Sequence, residues 1–225
     1  MKPIYKINEL SFSYSSNKQI FRNIHLELTF EKITLLSGKN GSGKTTLCRL
    51  LSGLEKRFQG CILLENKNLS KIPANIIANK VVYLKQESLA NVVAANPDED
   101  LAIWQHKFRL NNNTTFEKRR SNALEYFDIY NFKDKPIWEL SSGQIKRIGL
   151  SSLLLNEDKY WILDEPTSSL DNSSIELLGQ VLENRKKNGK GCLIISHQFE
   201  SYKPLFDCWL QIENESIIEK DKFYK

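Results

Sequence analysis

The chain is sparing with sulfur and scatters what it has. Four cysteines, Cys48, Cys61, Cys192 and Cys208, are spread along 225 residues, and no two form a C-x-x-C pair. That pattern gives no reason to expect a metal site. It fits reduced cysteines acting as small buried hydrophobes. No apolar run approaches the roughly 20 residues needed to span a bilayer. The opening "MKPIYKINEL" lacks the apolar stretch of a secretory signal, so a chain that stays in the cytosol is expected. There is no internal repeat, no low-complexity linker and no sustained heptad pattern. Net charge is +5, but the positive side chains are dispersed and the densest run is "EKRRSN". A solvated helix face accounts for such a run, and charge alone gives no reason to expect a nucleic-acid partner.

What is present begins with the material for a core, since 40% of the residues are hydrophobic. The length suits one large domain or two small ones. "IYKINELSFSY" (4–14) and "NIHLELTF" (23–30) alternate apolar and polar residues, with turn residues "SSNKQ" between them. They predict antiparallel strands ahead of the main sheet. "KITLLSG" reads as a short buried strand. Leu47, Leu50, Leu51 and Leu54 then fall at the spacing of an amphipathic helix. "GCILLEN" and "KVVYLKQ" read as further strands. From about 89 to 155 the strand signal fades. Thr114 and Glu117 form a T-x-x-E capping box ahead of apolar residues at helical spacing, so a helical insertion is expected. Strands return with "YWILDEP" and "GCLIISHQ". Ser173 and Glu176 suggest a second capping box between them, and "CWLQIENESIIEKD" reads as a hairpin. Strands alternating with helices argue for a parallel α/β sheet.

"GKNGSGKT" (38–45) matches G-x-x-x-x-G-K-[ST] in full, after a strand and before a helix. Glycines let the backbone wrap phosphates, and the helix start favours their charge. Lys44 would reach the terminal phosphates and Thr45 would offer its hydroxyl to Mg²⁺. "WILDEP" (161–166) is an apolar strand ending in two acids. Burying acids there costs several kcal/mol unless charge compensates, and a Mg²⁺–nucleotide complex supplies that charge. Asp164 fits the metal-shell acid. Glu165, one position on, fits a general base for the attacking water. A second phosphate-seeking helix start follows the first in the same chain, "ELSSGQIKR" (139–147), where small residues lead into an amphipathic run.

These motifs, in this order, resemble the ATP-binding-cassette (ABC) ATPases, and the resemblance covers nearly the whole chain. It implies a P-loop NTPase fold: a RecA-like parallel sheet core, an N-terminal antiparallel β subdomain and an α-helical subdomain inserted at about 89–155, all within one domain, 1–225. It implies that Tyr14 stacks on adenine and that Gly38, Lys39, Asn40, Gly41, Ser42, Gly43, Lys44, Thr45 and Thr46 bind ATP. Gln86 matches the glutamine that contacts Mg²⁺ and links to a partner. Together with Thr45 and Asp164 it completes the Mg²⁺ shell. Glu165 and His197, the latter in "IISHQ", match the base and the switch histidine, with Lys44 and Gln86 as further catalytic residues. Ser141, Ser142, Gly143 and Gln144 match the family signature, which would serve the nucleotide of a second ATPase subunit. Ser169 and Asp171, in "SSLD", match the loop that communicates across the dimer. The third signature residue is commonly Gly and here is Ser142. If that position needs a positive φ, a serine there would be strained.

The resemblance further implies cofactors ATP and Mg²⁺ and a peripheral place on the cytoplasmic face of the cell membrane. The expected partners are integral membrane transporter subunits and a second ATPase, identical or not. A small-molecule kinase has no use for the signature. A ribosome- or DNA-acting ABC protein usually carries two cassettes, coiled coils or zinc modules. The stretch after Gln86, "ESLANVVAANPDEDLAIW", is similar to that of energy-coupling-factor ATPases, which drive uptake of vitamins or of cobalt and nickel ions. An acid-capped helix bearing Leu101, Ile103 and Trp104 would there receive a helix of the membrane subunit. Other ABC importers or exporters, or a soluble ABC protein acting on ribosomes or DNA, are the alternative.

Overall fold

The computed structural model of the chain describes residues 3–15, 18–107, 113–196 and 200–220. They form two compact units, the first from 1–83, 158–164 and 183–225, the second from 84–157 and 165–182.

The first unit holds two sheets. Strands β1 (Pro3–Ser15) and β2 (Lys18–Thr29) pair antiparallel. With β4 (Gln59–Leu64) and β5 (Lys67–Asn68) they give the order β2-β1-β4-β5. β1 does not alternate evenly. Tyr5 and Ile7 are buried at odd positions, Leu10 and Phe12 at even ones. A bulge at Glu9, whose φ is 53°, absorbs the extra residue and keeps both halves apolar on one face. Gly60 of β4 accommodates it, because a Cβ there would lie 2.3 Å from the Glu9 carbonyl oxygen.

The second sheet adds β3 (Ile33–Gly38), β6 (Val81–Leu84), β7 (Tyr160–Asp164), β8 (Cys192–Ile195), β9 (Cys208–Glu213) and β10 (Ser216–Lys220) in the order β10-β9-β3-β8-β7-β6. β3 runs parallel to both β8 and β9, and β7 parallel to β8. β7 and β8 are buried along their whole length, as parallel strands covered on both faces must be. The expected tail hairpin is β9–β10, turned by Asn214 and Glu215, both at positive φ.

Helix α1 (Lys44–Leu51) buries Leu47, Leu50 and Leu51 as expected, but not Leu54. Gly53, at φ 72°, ends the helix by turning the chain left-handed, and Leu54 is left exposed beyond it. Helix α2 (Ala74–Lys80) follows Pro73. The core of this unit gathers Tyr5, Ile7, Phe21, Leu47, Leu51, Tyr160, Ile162 and Leu193.

The second unit is helical, and among the described residues no strand lies between β6 and β7. Helix α3 (Pro97–Ala102) is capped by the Asn96 side chain, which accepts from the Glu99 amide at 2.9 Å. The expected acid cap is therefore not formed, and Asp98, Glu99 and Asp100 fill the first turn. Leu101 is fully buried and Ile103 and Trp104 lie past the helix end, so Leu101 packs inside this unit and does not face a partner. Helix α4 (Asn113–Tyr126) starts before Thr114, which therefore sits inside the helix and not at its cap. Helix α5 (Ser142–Leu154) packs Ile145 and Ile148 with Leu101, Phe116, Leu124 and Ile137. Helix α6 (Asn172–Lys187) begins one residue before Ser173. Its cap is Asp171, which accepts from the Ser174 amide at 2.9 Å. That N-cap bond replaces the expected Ser173–Glu176 box.

Candidate functional site

Within the first unit the parallel register aligns the strand ends that carry chemistry. Ile195 of β8 is in register with Leu36 of β3 on one side and with Asp164 of β7 on the other. Asp164 therefore stands two strands, roughly 9–10 Å, from the strand feeding the phosphate loop. His197 follows this end of β8 but lies outside the described residues.

The loop from Gly38 to Thr45 wraps as its glycines allow. Gly41 and Gly43 have φ of 74° and 109°. At Gly43 space is also tight, since a Cβ would lie 2.6 Å from Ile20 Cγ2 and 2.9 Å from Phe21 Cζ. Gly43 caps α1 with no side chain, leaving the first amides of the helix for an anion. Lys44 Nζ reaches back across the loop, donating to the carbonyls of Gly38 (2.8 Å) and Lys39 (3.1 Å). Ser42 Oγ is buried within the loop with no hydrogen-bond partner among the described residues, an orphan that a phosphate oxygen would satisfy. Tyr14 is brought to the start of α1, its hydroxyl 3.2 Å from Thr46 Oγ1 and its ring edge-on to Phe12. Tyr14 is 59% exposed, an open aromatic face beside the loop. Lys39, Asn40 and Thr45 are exposed too.

Asp164 is 1% exposed. Its Oδ2 accepts from the Tyr83 hydroxyl at 3.1 Å. Burial raises the Tyr83 phenol well above its ordinary range, with Cys48 and Asp164 adding to the effect, so it stays a neutral donor. Burial likewise raises the Cys48 thiol, which excludes it as a thiolate. Among the described residues no group of three His, Cys, Asp or Glu side chains could cage a metal. One buried carboxylate and a hydroxyl suit Mg²⁺, which takes one or two carboxylates and completes its shell with phosphates and water.

The second unit holds the other candidates. Gln86 is exposed, two residues past the end of β6. Glu165, directly after Asp164, has φ 48°, a left-handed conformation that costs of order 1–3 kcal/mol in a residue with a side chain. Ser168 fastens it, donating through both amide and hydroxyl to the Glu165 carbonyl. Ser141 caps α5 in a reciprocal box. Its Oγ accepts from the Gln144 amide at 3.2 Å, and its own amide donates to Gln144 Oε1 at 2.9 Å. Ser142 opens the helix and is absent from the positive-φ residues, so the anticipated strain does not arise. What needs a glycine is the next position. A Cβ on Gly143 would meet the Ser169 carbonyl oxygen at 2.7 Å. The signature and the 168–171 loop are thus pressed together, and an Arg147–Asp171 ion pair joins them. Hydrogen bonds from Ser174, then Ser173 and Arg147, hold the Asp171 carboxyl well below the usual carboxylate range.

Tyr83 and Lys146 carry contacts that sequence reasoning missed. Tyr83 reads as one more strand residue, and a lysine in a helix reads as surface. Neither leaves a signal in a single sequence.

A glycine-rich loop between a parallel strand and a helix, with a lysine folded over it and a buried acid at a neighbouring strand end, defines a P-loop nucleotide-binding protein. The family model for ABC transporters matches residues 21–168. The chain is 32% identical to the energy-coupling factor transporter ATP-binding protein EcfA1 of Thermotoga maritima, over 94% of this chain and 79% of that one. It is similar to the structure of cbiO1 from Clostridium perfringens, part of the ABC transporter complex cbiONQ. That match has 27% identity and a TM-score of 0.78, covering 97% of this chain and 88% of that one. It shares the fold of the ATP-binding cassette MJ0796 in a dimeric post-hydrolysis state bound to ADP and Pi. There the TM-score is 0.86 at 18% identity, over 98% and 99% of the two chains. The chain belongs to the ABC transporter family, and it is an ATPase that works with ATP and Mg²⁺.

Proposed function

We propose that this chain powers an energy-coupling-factor type transporter, hydrolysing ATP at the cytoplasmic face of the membrane to drive uptake of a vitamin or a transition-metal ion. The observation that carries this reading is the 32% identity to EcfA1 across 94% of the chain. No helix among the described residues is long and apolar enough to cross a membrane, so integral membrane subunits would supply the path. Both units would belong to one ABC ATPase domain that pairs with a second, identical or related.

In this reading Tyr14 stacks on adenine and the 38–46 loop cradles the phosphates. Lys44 turns from the loop carbonyls to the terminal phosphate oxygens. Asp164, the Thr45 hydroxyl and Gln86 would hold Mg²⁺, whose charge would neutralise that of the phosphates. Glu165 takes the proton of the attacking water. The water oxygen bonds to the γ-phosphorus, the bond to the β–γ bridging oxygen breaks, and ADP leaves. His197 would sense the γ-phosphate. Ser141, Ser142, Gly143 and the start of α5 close on the neighbour's γ-phosphate, while Ser169 and Asp171 report that closure. This answers why one chain carries two phosphate-seeking helix starts: the second serves the partner's nucleotide. ATP then holds the dimer and hydrolysis releases it, a ligand-driven two-state switch.

The test is capture of a tagged Glu165→Gln chain from detergent-solubilised membranes of its own source, with bound proteins identified by mass spectrometry. An integral membrane protein is expected, with a second ATPase chain if the dimer is mixed. Recovery of ribosomal or DNA-bound proteins alone would overturn the transporter assignment.

A further inference from the structure

Among the described residues of the second unit, the most deeply buried charge belongs to the signature helix. Lys146 is 0% exposed. Its Nζ donates to the carbonyl of Lys85 at 3.2 Å and to that of Gln86 at 3.1 Å. A buried ammonium is costly unless its donors are satisfied, and these carbonyls take two of its hydrogen bonds. One turn further along the same face sits Gly149. A Cβ there would fall 2.7 Å from Leu84 Cδ1 and 3.6 Å from Asn91 Cβ. The missing side chain lets α5 lie directly on the segment that Lys146 grips.

The same segment is closed on itself by Asn91. Its Oδ1 accepts from the Lys85 amide at 2.7 Å. Its Nδ2 donates to the carbonyls of Lys85 (2.9 Å) and Glu87 (3.0 Å). Lys85 Nζ adds a bond to the Ala90 carbonyl at 3.0 Å. Residues 85–91 are thus closed by a ring of hydrogen bonds, with Gln86 held between Lys85 and Glu87, which both bond to Asn91. The carbonyls of 85 and 86 fix the peptide planes on either side of Gln86, so they set the direction in which its side chain leaves the backbone.

We infer that Lys146 is a positioning residue for Gln86: a strut that locks the glutamine's loop to the signature helix so that the two move as one body. A displacement of α5, when its N-terminus closes on a neighbour's nucleotide, is then carried to Gln86 through one side chain. This rests on the reading of Gln86 as a ligand and catalytic residue proposed above.

Lys146→Met keeps the apolar stem and removes the donors. Steady-state ATPase of the purified chain should show kcat reduced on the order of 10- to 100-fold, the scale of a displaced reacting group, with KM for ATP near wild type. The decisive comparison is the same change in a Gln86→Ala background, where it should cause no further loss of kcat. A merely structural lysine would lower both backgrounds by the same factor, and that result would overturn the strut. A Gln86→Ala chain that turns over like wild type would refute the role of Gln86 itself and the strut with it. If Lys146→Met does not fold, Asn91→Ala loosens the same ring from its more exposed side. It should give the same kcat loss, again absent from the Gln86→Ala background, and equal losses in both backgrounds overturn the inference.

Discussion

Replacing Tyr83 with Phe removes one oxygen and leaves the ring in its place against the core. The oxygen lost is the one that donates to Asp164 at 3.1 Å. Two lines of reasoning fix the size of the effect. A hydrogen bond to a charged group contributes about 1.5–3 kcal/mol net, and Asp164, at 1% exposure, has almost no water to replace it. Independently, removing the partner that orients a metal ligand lowers metal affinity about 10- to 100-fold, which is about 1.4–2.7 kcal/mol. The two ranges coincide, so Tyr83→Phe should weaken Mg²⁺ by one to two orders of magnitude. The assay is nucleotide affinity with Mg²⁺ and with chelator. Wild type should gain affinity with Mg²⁺, and the variant should lose most of that gain while its metal-free affinity holds. A variant with wild-type Mg²⁺ dependence would show that the phenol does not orient Asp164, and the reasoning would fail.

Two other outcomes are expected. Ser141→Arg should block ATP-dependent dimerisation, read by light scattering, with nucleotide binding by the single chain nearly unchanged. It should also cost about 1 kcal/mol of stability, because Ser141 is the α5 cap. The folded Asp171 carboxyl is held below its unfolded value, so its stabilising contacts are fully present above about pH 4 and fade as pH falls through the lower folded value. The urea midpoints of wild type and Asp171→Asn should therefore differ by a constant amount near neutrality and converge in acid.

The phosphate loop was legible because wrapping a phosphate imposes both spacing and residue type. The buried strands were legible from their apolar runs. Elsewhere the deciding contact was not local. The alternation of β1 hides its bulge, since the phase slips at Glu9 only because Gly60 on another strand makes room. Leu54 fits the helical period, but Gly53 ends α1 first. Ser173 and Glu176 fit a capping box, and Asp171 outcompetes them because its carboxylate also meets Arg147. Ser142 was a suspected point of strain, whereas the crowding is at Gly143, set by the Ser169 carbonyl. Lys146 and Tyr83 are invisible in sequence because their meaning lies in which distant atoms they reach.

The most direct test of the account is ATP turnover by Glu165→Gln, measured alongside its state of association. The base reading predicts that the variant binds ATP, accumulates as a dimer, and hydrolyses on the order of 100-fold more slowly, a barrier increase of about 2.7 kcal/mol. Hydrolysis at the wild-type rate, with no ATP-dependent dimer, would contradict it.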